Sequence, residues 1–233
     1  MHTHSSDRRK KNIYLIHRKT SHTVFIAVAG NIGAGKTTLT ELLARHYGWE
    51  PKYEAVATNP YMEDYYKDIH RWSFCLETYF LKERFRDLLA ISQTNKDVIQ
   101  DRSIFEGVYV FAANNQAMGN MEQRDYNTYM ELFEQMTSVA RTPDLMIYLR
   151  ASIPHLVANI QKRGRGYEQS IPIEYLQNLN NRYEDFIYNK YPGRVLTIDV
   201  DNMDFLNKRD DFKSITDKID RIFYSLFPEE PNK

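Results

Sequence analysis

The apolar positions of this chain alternate between two spacings. Residues 23–29 form a continuous run of β-branched and small apolar side chains that stops at Gly30, which predicts a buried strand. Leu39, Leu42, Leu43 and Tyr47 then recur at helical spacing over 36–47, with Gly48 as the C-cap. Residues 53–56 read as the end of a second strand, and Pro60 after Asn59 opens a helix. Trp72, Leu76, Tyr79, Phe80, Phe85, Leu88 and Leu89 mark a long helix from 72 to about 91. Residues 98–101 are a third strand, and helices are predicted over 105–117 and 123–139. A fourth strand at 145–149 leads into a helix over about 153–162. A further helix runs from Pro172 to about Tyr188, a fifth strand covers 195–200, and a last helix covers about 211–227. Strands alternating with helices, without an internal repeat or a long linker, predict one α/β unit with a parallel sheet covered on both faces.

Composition narrows this. The 233 residues are 42% apolar and 27% charged, close to an ordinary globular domain and unlike a disordered, collagenous or rod-like chain. The longest plainly apolar run, 24–29, is far too short for a bilayer, which needs about 20 residues. The single cysteine, Cys75, makes no internal disulfide, so the expected setting is cytoplasmic. Net charge is zero but uneven. Residues 1–22 hold six Lys/Arg and one acid, leaving 25 basic and 30 acidic side chains on the rest, a net of −5. Residues 1–22 are therefore expected to be a flexible basic extension, and 23–233 the functional domain. A body of that sign argues against nucleic acid as a partner, and no membrane association is expected.

One motif carries explicit chemistry. Gly30-Asn31-Ile32-Gly33-Ala34-Gly35-Lys36-Thr37, followed by Thr38, fits G-x-x-x-x-G-K-[ST] and lies between a predicted strand and a predicted helix. Its glycines allow backbone N–H groups to turn toward a phosphate, and the helix start adds a positive dipole end. Lys36 is suited to the β/γ-phosphates and the Thr37 hydroxyl to Mg²⁺. No aspartate has a glycine three residues on, so the D-x-x-G switch of a GTPase is missing, and Asn207-Lys208-Arg209-Asp210 reads as a helix cap. A motor or transporter ATPase needs a larger body, which leaves a small phosphotransferase.

Three further segments join the phosphate loop: Tyr53-Glu54, Asp101-Arg102-Ser103, and the stretch from Arg163-Gly164-Arg165-Gly166 through Glu168-Gln169 to Ile171-Pro172-Ile173-Glu174-Tyr175-Leu176. With Trp72-Ser73-Phe74, this set resembles the deoxynucleoside kinase family over about 23–227. The resemblance implies a P-loop kinase fold, α/β, with a five-stranded parallel sheet in the order 2-3-1-4-5, helices on both faces and a lid. It implies ATP as phosphoryl donor, Mg²⁺, transfer to a deoxynucleoside 5′-OH, and a homodimer built on helices. By the same resemblance Glu54 is the general base, Arg102 lies beside the 5′-oxygen, and Asp101 lies near the metal with Thr37. Arg163 and Arg165 are lid arginines over the transferred phosphoryl group, Tyr66 and Glu168 hold the sugar 3′-OH, Phe111 and Leu76 sandwich the base, and the 201–205 segment covers the donor's adenine.

The chain departs from the family pattern in four places. Asn159 replaces a lid arginine, Ala55 a proline, and Gly107 an aspartate that some members use on the base, with Glu106 beside it. Glu77 stands where a base-reading glutamine is common, with Arg84 seven residues on along the same helix. An ionised glutamate offers only acceptors, and among the DNA bases only guanine presents two adjacent donors. A purine deoxynucleoside, deoxyguanosine first and deoxyadenosine second, is therefore expected if Glu77 faces the base; the alternatives are that Arg84 or Arg102 engages Glu77, or that a protonated Glu77 regains a donor and blurs the preference. A nucleoside monophosphate kinase such as a thymidylate kinase shares the loop, but the acceptor side expected here, with Glu54, Glu77 and Glu106, suits a neutral nucleoside. A non-catalytic nucleotide-binding regulator has no need of Lys36, Glu54, Arg102 and both lid arginines.

Overall fold

The computed structural model describes residues 23–54, 58–168 and 171–226. The basic extension, Ala55, Val56, Gln169 and Phe227 lie outside the described residues. Five strands form one sheet in the order β2-β3-β1-β4-β5: β1 (Phe25–Gly30), β2 (Glu50–Lys52), β3 (Val98–Asp101), β4 (Leu145–Arg150) and β5 (Val195–Asp199). Every neighbouring pair is parallel, as the alternation of strands and helices predicts.

Helices α1 (Lys36–Tyr47), α6 (Ile153–Arg163) and α8 (Arg209–Leu226) supply one face. Helices α3 (Ile69–Gln93), α4 (Ile104–Glu106, Gly107–Ala112 and Ala113–Ala117), α5 (Gln123–Ser138) and α7 (Ile173–Asp185) supply the other. The short α2 (Met62–Lys67) packs on α3. Strand β1 shows why both faces are needed. Phe25 and Ala29 enter the core under α3–α5, whereas Ile26 and Val28 enter the core under α1 and α8 with Leu39, Leu43 and Ile219. A central strand buried on both faces reads as a continuous apolar run rather than an alternating one.

Two boundaries differ from the pattern-based expectation. The second strand is Glu50–Lys52, earlier than the expected 53–56. It is an edge strand, where Pro51 is tolerated because its missing N–H faces outward. The chain then leaves the sheet, so Tyr53 and Glu54 lie beyond the strand end. The expected helix over 105–117 is continuous but contains a wide π-helical stretch, Gly107–Ala112, and α7 ends in another, Phe186–Lys190. Such widened turns shift the faces that a 3.6-residue repeat assigns.

The phosphate loop is built tightly. Gly33 adopts φ 86°, and a Cβ there would lie 2.7 Å from the Leu156 carbonyl oxygen of α6. The loop is tied to its surroundings by Asn159, whose Nδ2 donates to the Gly33 carbonyl at 2.8 Å, and by Asn31, whose Nδ2 donates to the Leu176 carbonyl at 2.9 Å. Gly33→Ala is expected to lower unfolding stability by about 1–3 kcal/mol through backbone strain and the close approach to α6. Urea denaturation checks this, and a loss below about 0.5 kcal/mol contradicts the tight packing.

Candidate active site

Side chains from β3, α1, α3 and α4, from the segment after β2 and from the α6–α7 connection converge on one cavity of about 310 Å³. At one end the phosphate loop presents Ile32, Lys36 and Thr37. Lys36 is 7% exposed, and its Nζ donates to the Asn31 carbonyl at 2.9 Å. Burial, reinforced by Arg102, lowers its ammonium pKa to about 8. Gly30, Gly33, Ala34 and Gly35 form the loop backbone, with Gly30, Gly33 and Gly35 all at positive φ. Thr38 stands in the first turn of α1. The Phe205 ring rests against Gly35, 3.0 Å from where a Cβ would be, so the 201–205 segment does approach the loop.

The Thr37 hydroxyl donates to Asp101 Oδ2, and Asp101 Oδ1 is buried with no hydrogen-bond partner among the described residues. Burial raises the Asp101 pKa even though Lys36 and Thr37 oppose the shift. A hydroxyl beside a carboxylate with one oxygen free is an oxygen donor set suited to Mg²⁺, which keeps several waters and takes few protein ligands. No cluster of three or more His, Cys, Asp or Glu side chains able to hold a metal occurs among the described residues.

Beside this end, Glu54 is held by two guanidinium groups. Arg102 Nε donates to Oε2 at 3.0 Å, and Arg84 Nη2 donates to Oε1. Burial alone would raise the Glu54 pKa, but Arg102, Arg84 and Lys36 outweigh it and bring the carboxyl to about 2. Arg102 follows β3 directly and is the one non-glycine at positive φ (71°) among the described residues, a conformation that for such residues clusters at functional sites. Its guanidinium lies 4.6 Å from the centroid of the Phe111 ring.

Glu77, Leu76, Phe80, Tyr66 and Phe111 line the same cavity, and Arg84 links Glu54 to the Phe80 ring, over which its guanidinium lies at 5.1 Å. Glu77 is 4% exposed, and the hydrogen bond described for its side chain comes from Asn115 Nδ2 at 3.2 Å. Among the described residues neither Arg84 nor Arg102 bonds to it; both bond Glu54. Burial pushes the Glu77 carboxyl up to about 8, with Arg84 opposing and Glu54 reinforcing the shift. The raised value favours the protonated alternative for Glu77: near neutral pH it mostly carries its proton, with one donor and one acceptor. Arg84 keeps Nε and Nη1 buried without a hydrogen-bond partner among the described residues.

Arg163, Arg165 and Glu168 close the cavity on a third side. Both arginines bond the same carboxylate, Arg163 Nε to Glu168 Oε2 at 2.9 Å and Arg165 Nη1 to Oε1 at 3.3 Å. Glu106, expected on the acceptor side, is placed elsewhere. It is fully buried, outside the cavity lining, and its carboxylate accepts from Ser103, Tyr183 and Arg102. The capping box at the start of α4 turns this side chain inward. Sequence reasoning missed Met62, Tyr65, Phe80 and Tyr175 in the cavity wall. The aromatic cluster Tyr61, Tyr65 and Tyr66 directly after Pro60 was the available signal.

Among the described residues no helix is long and apolar enough to cross a membrane. The family model for deoxynucleoside kinases matches residues 26–224. A deoxyadenosine/deoxycytidine kinase of Bacillus subtilis (strain 168) is 38% identical over 201 residues, covering 85% of this chain and 93% of the relative. A deoxyguanosine kinase of the same organism is 36% identical over 199 residues, covering 82% of this chain and 93% of the relative. Among solved structures, the deoxyadenosine kinase from M. mycoides with bound dATP superposes with a TM-score of 0.75 at 32% identity, covering 84% of this chain and 99% of that one. The phosphate loop, the carboxylate between two arginines and the two arginines that share Glu168 thus lie in a chain that belongs to the deoxynucleoside kinase family, phosphotransferases that act on deoxynucleosides.

Proposed function

We propose that this protein transfers the γ-phosphoryl group of ATP to the 5′-hydroxyl of a purine deoxynucleoside. The observation that carries the reading is the position of Glu54. It is a carboxylate fixed by Arg84 and Arg102 in the same cavity as Lys36 of the phosphate loop and Glu77. Phosphoryl transfer asks little covalent chemistry of a protein, so positioning and charge account for most of the catalysis. Glu54, ionised throughout the working range, orients the 5′-hydroxyl and accepts its proton as the bond to phosphorus forms. Lys36, Arg102, Arg163 and Arg165 face the charge that spreads over the phosphoryl oxygens. Mg²⁺, when bound by Thr37 and Asp101, neutralises phosphate charge. Tyr66 and Glu168 receive the sugar, and Phe111 with Leu76 flanks the base. The same reading takes the protein to be a cytoplasmic homodimer, for which light scattering should give twice the 27.7 kDa chain mass.

The base is read by Glu77. In its neutral form the carboxyl pairs with adenine, donating to N1 and accepting from the 6-amino group. Ionised, it accepts from guanine N1–H and the 2-amino group. Tyr65, Tyr129, Tyr175, Asn115, Arg84, Arg102 and Glu54 make up its polar surroundings. The named relatives act on deoxyadenosine, deoxycytidine or deoxyguanosine, which fits a pocket whose preference turns on a few groups.

Three outcomes follow from this reading. Glu54→Gln should lower kcat by roughly 10²–10⁴-fold with little change in the deoxynucleoside KM; an unchanged kcat moves the base elsewhere. Because Lys36 is depressed to about 8 in the free protein, arriving phosphates raise it again. Binding of a non-hydrolysable ATP analogue with Mg²⁺ at pH 8 should therefore take up about half a proton through Lys36. Calorimetry in two buffers of different ionisation enthalpy reads this, and Lys36→Met should abolish it. Finally, Glu77 with a pKa of about 8 gains charge as pH rises. The ratio of kcat/KM for deoxyguanosine to that for deoxyadenosine should climb between pH 6.5 and 8.5, by up to roughly tenfold, and stay flat in Glu77→Gln. A flat ratio in the parent removes Glu77 from base reading.

A further inference from the structure

Arg102 carries the reaction only if its guanidinium stays aimed at Glu54, and its backbone sits in a region that an L-residue resists. The groups that hold it come from three separate elements. Glu106, on α4, is anchored to the turn after β3, where its Oε2 accepts from the Ser103 backbone N–H at 2.7 Å and from the Ser103 hydroxyl at 3.2 Å. Its Oε1 accepts from the Tyr183 hydroxyl at 2.8 Å, from Arg102 Nη1 at 3.3 Å and from the Gly30 N–H at 3.4 Å. The Tyr183 hydroxyl, on α7, gives its proton to Glu106 and accepts from Arg102 Nη1 at 2.6 Å. The donors of Arg102 are thereby divided: Nη1 goes to the Tyr183–Glu106 pair and Nε to Glu54. Gly30 is the first residue of the phosphate loop, so the same carboxylate also touches the donor side.

We propose that Tyr183 and Glu106 are positioning residues that set the direction of the Arg102 guanidinium relative to Glu54 and the phosphate loop. The proposal rests on the reading of Arg102 as the arginine beside the 5′-oxygen. Tyr183 is fully buried, with its ring stacked on Tyr148 at 5.8 Å and edge-on to Phe111 at 6.4 Å. Tyr183→Phe keeps those ring contacts and removes only the hydroxyl. It leaves Arg102 Nη1 with the longer bond to Glu106 and frees Oε1 of one donor, so the guanidinium gains room to turn.

The test is a double-mutant cycle with Arg102→Lys, read by kcat and KM for the deoxynucleoside, with melting temperatures measured alongside. The expected result is a kcat about tenfold lower in Tyr183→Phe, the effect of one misdirected buried hydrogen bond. KM should be nearly unchanged, and the hydroxyl should have less than about a twofold effect once Arg102 is lysine. Glu106→Gln, which must turn an amide N–H₂ toward either Arg102 or Ser103, should lower kcat in the same way wherever it folds. A Tyr183→Phe enzyme with parental kcat, or one with equal losses in both backgrounds, overturns the proposal while leaving the role of Arg102 intact. An Arg102→Lys enzyme of full activity overturns both.

Discussion

The bridge between Arg84, Glu54 and Arg102 is the contact on which the rest of the site depends. Glu54 belongs to no strand or helix, and the residues that follow it lie outside the described structure. Its place is set by two guanidinium groups from elements distant in sequence, 30 and 48 residues away. Each guanidinium would be expensive to bury alone, since breaking a buried ion pair leaves an uncompensated charge. Arg84 and Arg102 are both nearly fully buried; the ion pair given for Arg84 is with Glu54, whereas Arg102 also pairs with Glu106. The arrangement joins the edge of the sheet to α3 and to the end of β3 at the point where chemistry is required.

Around this bridge the donor side is stiff. The phosphate loop is braced by α7 through Asn31 and by α6 through Asn159, and its lysine folds back on the Asn31 carbonyl. Asn159 stands where the family resemblance expects another lid arginine, and its amide serves the loop backbone instead of presenting charge. The two arginines that remain share Glu168. A carboxylate that holds both of them keeps positive charge beside the cavity while compensating it, and limits how far the pair can spread.

The sequence made the sheet legible because central parallel strands are apolar on both faces and leave continuous runs, as 24–29 does. The phosphate loop was legible for a different reason. Its function needs backbone conformations that mainly glycine supplies, and those residues are visible as letters. The edge strand was misplaced because nothing in its composition is strand-like: Glu50, Pro51 and Lys52 pair with β3 through backbone alone. The widened turn at Gly107–Ala112, which carries Phe111, was invisible because a single π-helical turn is too short to leave a repeat in the sequence. Glu106 was misassigned because a charged residue beside a site reads as part of it. The capping box that turns it inward is a local signal, Ser103 followed three residues later by Glu106, that was present in the sequence and not used.

The two carboxylates of the cavity show how one arginine sorts two acids. Glu54 and Glu77 are both buried, and burial alone raises a carboxyl pKa. Arg84 lies seven residues from Glu77 on α3, about two turns along the same face. The bond goes to Glu54, which already holds Arg102, so the cationic field concentrates there and the carboxyl falls to about 2. Glu77 keeps a neutral amide partner, feels the negative charge of Glu54 and rises to about 8. The separation gives each group a distinct capacity. On the proposed reading, Glu54 is thereby permanently an acceptor, as an incoming hydroxyl requires, and Glu77 carries its proton near neutrality, with the paired donor and acceptor that suit an uncharged base. Giving Arg84 to Glu77 instead would weaken the charge that fixes Glu54 and remove the donor from Glu77. On that reading, reactivity and recognition depend on the same allocation of a single guanidinium group.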